Sequence, residues 1–241
     1  MSSLHTPKKF ETPDCETCGS RKKSVFCDLH GQDLAKLEEE KGCSAYKKGQ
    51  MIFNAGSYPH GLFCIREGKV KVFQVGDEGK EQIVRLAKAG DILGYRAILS
   101  GDKYSSSAAS LDDAKICFIP KKSFLSLIES NGILSMQLMR LLSDDLKEAE
   151  HRITELAQKP VRERVAEALL YLHQTYGTEA DGQTIDIAMS REDIANIVGT
   201  ATETTIRLLS EFKQDEVIQL NGKKIAILNH RQLVKIANVN D

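Results

Sequence analysis

The sequence has no tryptophan, no excess of either charge and no apolar run long enough to span a membrane. Without tryptophan, and with aromatic residues at only 6%, the core must be built mainly from aliphatic side chains. The 33 lysine and arginine residues are balanced by 34 aspartate and glutamate residues, so any affinity for nucleic acid must come from a local basic patch and from dimerisation. Because we find no secretory apolar segment and no membrane span, we expect a cytoplasmic protein.

The common catalytic motifs are also missing. The sequence contains no glycine-rich phosphate loop, no nucleophile elbow and no pair of histidines at helical metal-binding spacing. The adjacent Asp112 and Asp113 are typical of solvated charge in a turn rather than of a catalytic pair. We therefore predict that the protein, whose 241 residues are enough for two domains, is not an enzyme.

The stretch from Ser190 to Gln214 has the pattern of two short helices joined by a turn. One apolar face ends at Gly199, and a second begins at Ile206. Ser190 and Thr200 occupy the positions expected of N-terminal caps, each with an acidic residue three positions later. Two capped helices joined at a glycine are typical of a helix-turn-helix, whose second helix enters the major groove of DNA.

The start of the second helix carries the side chains that we expect to read the DNA. Arg207 can pair with a guanine through two hydrogen bonds, Glu203 can accept from a cytosine amine, and Ile206 offers apolar surface to a thymine methyl group. Thr205 is also expected to be exposed. The predicted DNA-contacting set is Ser190, Arg191, Thr202, Glu203, Ile206, Arg207 and Lys223.

A β-hairpin is predicted immediately after the second helix. Asn221-Gly222 lies between two alternating apolar runs, at 217–220 and 223–228, and this is the strongest short-range hairpin signal. A hairpin at this position is a wing, from which Lys223 and Lys224 could reach phosphate groups. The helix-turn-helix and the wing together favour a DNA-binding protein over an enzyme.

A long helix is predicted from Ile133 to Gln158, and Lys159-Pro160 ends it. Its apolar residues recur in alternating steps of three and four, the spacing of a heptad seam, and charged residues surround this narrow stripe. A two-fold dimer joined along the seam would place two recognition helices on adjacent turns of DNA. The expected dimer interface consists of Met139, Leu142, Leu146, Ala149, Ile153 and Leu156.

Between Tyr46 and Pro120 the sequence consists of short apolar segments separated by glycines. Such segments, at spacings of roughly 8 to 12 residues, predict a compact antiparallel barrel or roll. A short amphipathic helix is predicted before it, over residues 32–40. Cys43 and Cys64 lie in apolar surroundings and are expected to be core residues.

Six cysteines are present, and three of them lie close together near the N-terminus. In a cytoplasmic chain of this size they argue against a disulfide framework and favour metal or redox chemistry. Cys15 and Cys18 form a C-x-x-C pair that can approach one metal ion, Cys27 adds a third thiolate, and His30 would complete a tetrahedral zinc site. The basic residues 21–23 would favour thiolate over thiol.

These residues carry a resemblance to a known family. The segment from Met189 to Phe212 resembles the DNA-binding domain of the Crp/Fnr transcription regulators, and residues 48–73 resemble their cyclic-nucleotide-binding β-roll. Residues 203–207, Glu-Thr-Thr-Ile-Arg, resemble the Fnr-type motif Glu-x-x-Ser-Arg, with Ile206 in place of serine. The resemblance implies a palindromic DNA site with TTGA-type half-sites, and RNA polymerase as a partner that can touch the loop at 76–80.

The cysteines extend the resemblance. Residues 111–120 resemble the Fnr oxygen sensors, in which a cysteine just ahead of Ile-Pro joins three N-terminal cysteines on a [4Fe-4S] cluster. The resemblance therefore implies Cys15, Cys18, Cys27 and Cys117 as cluster ligands, although the gap between Cys18 and Cys27 is longer than is usual in that family. Zinc, with His30 as the fourth ligand, and a thiol switch without metal are the alternatives.

The resemblance also raises the question of a cyclic nucleotide. In the nucleotide-binding relatives a Gly-Glu pair and an Arg-Ser pair hold the ribose and the phosphate, and the matching places here are residues 90–94 and 103–107. The arginine that would bind phosphate through two hydrogen bonds is missing, and Lys103 is not an equivalent fork. We predict that the roll does not bind cyclic AMP; a cyclic-nucleotide-responsive regulator is the alternative.

The predicted fold class is α+β, in four parts. They are a cysteine-rich N-terminal segment (1–31), a cyclic-nucleotide-binding-type β-roll that acts as the sensor (32–130), a dimerisation helix (131–159) and a C-terminal winged helix-turn-helix (160–241). The predicted function is sequence-specific regulation of transcription by a homodimer that senses oxygen or redox state through an iron-sulfur cluster.

Overall fold

The computed structural model describes residues 14–239. The first 13 residues of the predicted segment 1–31 and the last two of the predicted segment 160–241 lie outside this range. The described chain divides into two compact units. One holds the chain up to Gln74 together with Val84–Asp145, and the other holds Val75–Ile83 together with the chain from Leu146 onward.

The first unit contains the predicted roll. A 3₁₀ turn at Arg21–Lys23 precedes its helices and strands. These elements are α1 (Gly31–Glu40), β1 (Gly42–Tyr46), β2 (Met51–Phe53), β3 (Gly61–Glu67), β4 (Lys69–Val75), β5 (Glu81–Lys88), β6 (Ile92–Leu93), α2 (Tyr95–Ser100), β7 (Ser107–Ser110), β8 (Ala114–Pro120) and α3 (Lys121–Ser130). Among them the helices α2 and α3 were not predicted.

The strands form two four-stranded sheets, in the orders β1-β8-β3-β6 and β2-β7-β4-β5. The pairs within them that place the cysteines, β1 with β8 and β3 with β8, are both antiparallel. The side chains between the sheets are mainly aliphatic, as a chain without tryptophan requires; Ile65, Val70 and Ile116 are almost completely buried there. The roll therefore agrees with the predicted antiparallel architecture.

The long helix α4 (Gly132–Gln158) follows and confirms the predicted helix to within one residue. Leu134 and Leu138 are buried against the core of the roll, and Leu142 packs partly against the same core. The other seam residues point to solvent in the single chain: Met139, Leu146, Ala149, Ile153 and Leu156. An exposed apolar stripe of this length is a surface that another helix can cover.

The second unit contains the predicted helix-turn-helix and wing. Its elements after α4 are α5 (Val161–Tyr176), α6 (Arg191–Val198), α7 (Thr202–Gln214), β9 (Ile218–Asn221), β10 (Lys224–Ile227) and α8 (His230–Ala237). Thr184 bridges to Ala226, so the short segment before α6 extends the β9–β10 sheet. The core of this unit is again aliphatic, with Phe212 as its large aromatic residue.

Candidate functional site

The first helix of the helix-turn-helix, α6, begins as predicted. Ser190 occupies its N-cap, and the backbone N–H of Asp193 donates to Ser190 Oγ at 2.9 Å. The Ser190 hydroxyl in turn donates to the Asp193 carboxylate at 2.6 Å, so both partners of the cap are satisfied. Gly199 follows the last turn with a φ of 70°, a left-handed conformation that favours glycine and lets the chain leave the helix sharply.

The second helix, α7, starts differently from the prediction. Its N-cap is Ala201, which has no side-chain cap, so the expected cap by Thr200 is wrong. Thr205 was expected at the surface but is completely buried, and its hydroxyl donates to the carbonyl of Ala201 at 3.3 Å. The helix starts one residue later than the Thr200 cap implies. Thr205 is buried because it lies three and four residues before Leu208 and Leu209, on the face of α7 that packs into the core.

Three side chains of the predicted DNA-contacting set are exposed on α7: Glu203, Ile206 and Arg207. Thr202, at the first position of the helix, is half-buried. Arg207 Nη1 lies 2.5 Å from Glu211 Oε1, one helical turn further on. The second oxygen of Glu211 lies 2.5 Å from Arg162 Nη1, so this carboxylate holds two arginines. Arg207 is therefore oriented along the exposed face of the helix before any ligand binds.

The wing is present, but its turn differs by one residue from the prediction. Asn221 ends β9 and pairs with Lys224, so the two central turn residues are Gly222 and Lys223 rather than Asn221-Gly222. Gly222 has a φ of 60°, which a glycine adopts at no steric cost. Lys223 is exposed at the tip, whereas Lys224 pairs with Glu179 at 2.5 Å.

Arg191, another predicted DNA contact, is half-buried and bonds within the protein. Its Nη2 donates to the carbonyl of Gly222 at 3.0 Å, so it ties the start of α6 to the tip of the wing. Burial lowers the pKa of its guanidinium. Its position indicates that it fixes the wing against the helix-turn-helix, while Lys223 is the more accessible cation for a phosphate.

The N-terminal cysteine segment is folded around Arg21. The guanidinium donates to the carbonyls of Cys15 (2.7 Å), Phe26 (2.8 Å), Cys27 (3.1 Å) and Leu29 (3.2 Å). Phe26 and Leu29 are buried in the same core as α1 and α3. Arg21 thus holds the segment together from within, and the apolar Phe26 and Leu29 anchor it to the roll. Arg21 was expected to favour thiolate over thiol, and it binds carbonyl oxygens instead.

Four cysteine side chains line a single cavity of about 50 Å³ between this segment and the sheet: Cys15, Cys18, Cys64 and Cys117. We call it the cysteine cavity. Lys41 lines it as well, with its ammonium 2.7 Å from Cys15 Sγ and 3.5 Å from a Glu38 carboxylate oxygen. Lys41 was not singled out in the sequence, where nothing distinguishes it from the surrounding surface lysines.

The cavity also contains a residue that was expected to be plain core. Burial raises the pKa of the Cys64 thiol, and the nearby Cys15 and Cys18 raise it further. Cys27 does not line the cavity: Gln137 Nε2 lies 3.5 Å from its sulfur. His30, the alternative zinc ligand, is exposed at the N-cap of α1. The structure therefore brings three of the four predicted ligands together, with Cys64 as the fourth cysteine.

Cys117 is joined to Cys43 by a disulfide across β1 and β8. The expectation that Cys43 is simply a core residue is therefore incomplete, because its thiol is bonded to one of the predicted ligands. The two residues are direct partners in the register of these strands. Sequence alone could not place them together, since 74 positions separate them.

A different cluster, in the described part of the chain, has side chains spaced closely enough to hold a metal ion. Atoms of His151, Glu155 and Glu167 all lie within 4.8 Å of one another. Lys159 Nζ already pairs with Glu167 at 2.8 Å. Burial, then a hydrogen bond from Glu167, raises the pKa of Glu155 to about 7. A shared proton and an internal ammonium account for this cluster without a metal ion.

The positions that would hold a cyclic nucleotide are engaged in local structure. Asp91 accepts from the backbone N–H of Lys88 at 2.8 Å, and Gly90 has a φ of 102°. The Lys103 ammonium lies 5.1 Å from the centre of the Tyr58 ring. The hydroxyl of Tyr95 donates to Asp145. Residues 103–107 contain no arginine whose guanidinium could bind a phosphate through two hydrogen bonds.

The roll, the long helix and the winged helix-turn-helix together define a DNA-binding transcription regulator. The Cyclic nucleotide-binding domain matches residues 44–131, and the Crp-like helix-turn-helix domain matches residues 163–236. The chain is 33% identical over 229 residues to the Fumarate and nitrate reduction regulatory protein of Vibrio cholerae, covering 93% of this chain and 90% of that one. It therefore belongs to the Crp/Fnr family.

Other relatives agree with this assignment. The Transcriptional activator protein anr of Pseudomonas aeruginosa is 30% identical over 92% of this chain and 92% of its own length. The structure of FixK2 from Bradyrhizobium japonicum has the same fold, with a TM-score of 0.74 and 22% identity over 83% of this chain and 99% of that one. The relatives are named as regulators, which confirms the prediction of a non-enzymatic role. Within residues 14–239 no helix combines the length and apolar character needed to cross a bilayer.

Proposed function

We propose that this regulator senses oxygen or redox state through a [4Fe-4S] cluster bound by Cys15, Cys18, Cys27 and Cys117. The observation that carries the proposal is the convergence of Cys15, Cys18 and Cys117 on one cavity, although Cys117 lies on a distant strand. Relatives named Fumarate and nitrate reduction regulatory protein and Anaerobic regulatory protein support a role in the response to oxygen supply.

The residues present suit such a group in their chemistry once the disulfide between Cys43 and Cys117 is reduced. Thiolates are the ordinary ligands of iron-sulfur clusters, and three of the proposed ligands lie around one cavity. When bound, the cluster would supply an oxygen-sensitive group whose loss changes the state of these thiols. Cys27 is the one proposed ligand outside the cavity, and its half-exposed side chain must turn away from Gln137 to join the others.

The proposal is tested by an absorbance spectrum of protein purified without oxygen, with iron, sulfide and zinc measured on the same sample. A broad visible band with stoichiometric iron and sulfide, lost on exposure to air, is the expected result. A colourless protein with stoichiometric zinc contradicts it and favours a structural site. Protein with neither metal, but with thiols that change on oxidation, would instead establish a thiol switch.

A homodimer joined along α4 is part of the same proposal. Met139, Leu146 and Ile153 are each more than half exposed in the single chain, and Ala149 adds no charge to the stripe. Burying two such stripes against each other removes apolar surface from water without bringing like charges together.

We therefore expect the metal-free protein to sediment as a dimer. Changing Leu146→Glu should shift it to monomer, because two carboxylates would have to be desolvated in the seam. The matched control is Glu148→Gln on the same turn, off the stripe, which should remain dimeric. A wild-type protein that stays monomeric even in concentrated samples would overturn the proposal.

Contact with RNA polymerase is the last part of the proposal. The turn at residues 76–80 is closed by the N–H of Gly76 donating to the carbonyl of Lys80 at 2.9 Å, and its Glu78–Lys80 ion pair is strongly exposed. An exposed turn of fixed shape is available to a partner. Slower migration of the regulator–DNA complex when polymerase is added, reduced by substitutions in this turn, is the measurement that checks it.

A further inference from the structure

Three cysteines lie side by side across three neighbouring strands of the roll. The register pairs Cys43 of β1 with Cys117 of β8, and the same Cys117 with Cys64 of β3. Residues directly opposite each other in a ladder point to the same face of the sheet, so the three thiols form one row. Cys117 is the middle member of this row, and both Cys117 and Cys64 line the cysteine cavity.

The two neighbours of Cys117 are not equivalent. The Cα atoms of Cys43 and Cys117 are 4.0 Å apart, which is the close spacing of a non-hydrogen-bonded pair. A residue paired in this way on one side directs its N–H and C=O to the strand on the other side. Cys117 and Cys64 should therefore form the wider, hydrogen-bonded kind of pair, with Cα atoms about 5.5 Å apart. Side chains approach more closely in the first kind, which favours Cys43 as the partner of Cys117.

We propose that Cys43 is a resolving cysteine, which captures Cys117 as a disulfide after a peroxide has oxidised Cys117. Cys117 is partly exposed and lines the cavity, whereas Cys43 is buried, so an oxidant reaches Cys117 first. Cys43 then lies in the position from which it can attack, as the disulfide between the two residues shows.

The reaction takes two steps. The Cys117 thiolate attacks one oxygen of hydrogen peroxide; the O–O bond breaks, hydroxide leaves and a sulfenic acid remains on Cys117. The Cys43 thiolate then attacks the sulfenic sulfur, so that the S–S bond forms and a second hydroxide leaves. The two protons given up by the thiols convert both hydroxides to water. In sum, two thiols lose two electrons and one peroxide becomes two water molecules.

The consequence for sensing rests on the proposed function. If Cys117 is a cluster ligand, the disulfide removes it from the ligand set, because a sulfur bonded to Cys43 is no thiolate. The metal-free protein would then be unable to bind a new cluster until a dithiol reductant breaks the S–S bond by thiol–disulfide exchange. Peroxide and oxygen would thus both act on the cysteine cavity. Peroxide would do so by forming a disulfide that reversibly prevents cluster binding.

The test uses the full-length, metal-free protein and hydrogen peroxide. After exposure to about one equivalent, free thiols are alkylated, the protein is digested and the linked peptides are identified by mass spectrometry. We expect the main linked pair to contain Cys43 and Cys117, and the free thiols to fall from six to four. Dithiothreitol should restore all six. A main product that links Cys117 to Cys64 or to an N-terminal cysteine, or a Cys43 that is fully alkylated, would overturn the inference.

Two variants sharpen the test. Cys43→Ser should stop the Cys117 disulfide and leave Cys117 to proceed to sulfinic acid, which dithiothreitol does not reverse. Cys64→Ser, the matched control on the other side of Cys117, should form the Cys43–Cys117 disulfide as the wild type does. Iron uptake by the reduced protein is measured separately. If the reduced protein binds iron but does not form the Cys43–Cys117 disulfide, only the role of Cys43 as a resolving cysteine is contradicted. If the disulfide forms but the protein binds no iron, only the proposed cluster is contradicted.

Discussion

Replacing Arg207 with alanine is expected to weaken binding to a palindrome of TTGA-type half-sites by roughly 5- to 150-fold for each half-site, since a bidentate arginine–guanine pair is worth about 1 to 3 kcal/mol. Arg207 is exposed near the start of α7, where recognition helices contact base edges. Its guanidinium is already held along the helix by Glu211. The substitution should leave the fold intact, because Arg162 still pairs with Glu211.

The matched control is Lys213→Ala, which removes the same charge from an exposed position in the last turn of α7. It should weaken binding far less, because the end of the helix lies away from the bases. Lys223→Ala, at the tip of the wing, should weaken binding to every sequence alike and lower the salt dependence by about one counterion. Gel shifts over a range of salt concentrations measure all three. An Arg207→Ala protein that keeps its preference for the palindrome would refute base reading by this residue.

Replacing Cys18 with serine is expected to abolish the iron and the acid-labile sulfide of anaerobically purified protein together. Serine is nearly isosteric with cysteine, but its hydroxyl does not replace a thiolate on iron. The loss would follow from removing one of four thiolates rather than from unfolding, because the segment is held by Arg21 and by the buried Phe26 and Leu29. Iron and sulfide assays with a thermal melt of the same sample separate the two causes.

Comparing Cys27→Ser with Cys64→Ser identifies the fourth ligand, because each variant removes one of the two candidate thiols. We expect Cys27→Ser to lose the cluster and Cys64→Ser to keep it. Cys64 lines the cavity but carries a raised pKa, which opposes metal binding as a thiolate. The reverse result would replace Cys27 by Cys64 in the ligand set while leaving an iron-sulfur sensor in place.

The sequence predicted the end of a helix correctly where a proline, a glycine or a capping side chain lies at that end. Lys159-Pro160 was predicted to end α4, and the helix does end at Gln158. Ser190 and Gly199 mark α6 in the same way. The start of α7 was misplaced because Thr200 has the composition of a cap but lies one residue too early. Thr205 was misplaced for a different reason: it has a polar side chain but lies on the same face of the helix as the buried Leu208 and Leu209.

The cysteine site could be predicted only in part, because it depends on distances between distant segments. The C-x-x-C spacing indicates a site, and the family resemblance implies Cys117, but neither contains the register of β1, β8 and β3. That register places Cys43 and Cys64 on either side of Cys117. Lys41 was missed for a similar reason: its burial beside Cys15 results from the packing of α1 against the N-terminal segment.

Arg21 has a consequence for the proposed binding of a cluster. In many small metal-binding segments the metal itself organises the chain, so that removal of the metal and unfolding are one event. Here a single guanidinium binds four backbone carbonyls of the segment and holds its shape from within. If the proposed cluster binds to this segment, its loss would leave the segment folded. The same molecule would then be able to lose and regain the cluster, and its signal would be reset without new protein synthesis.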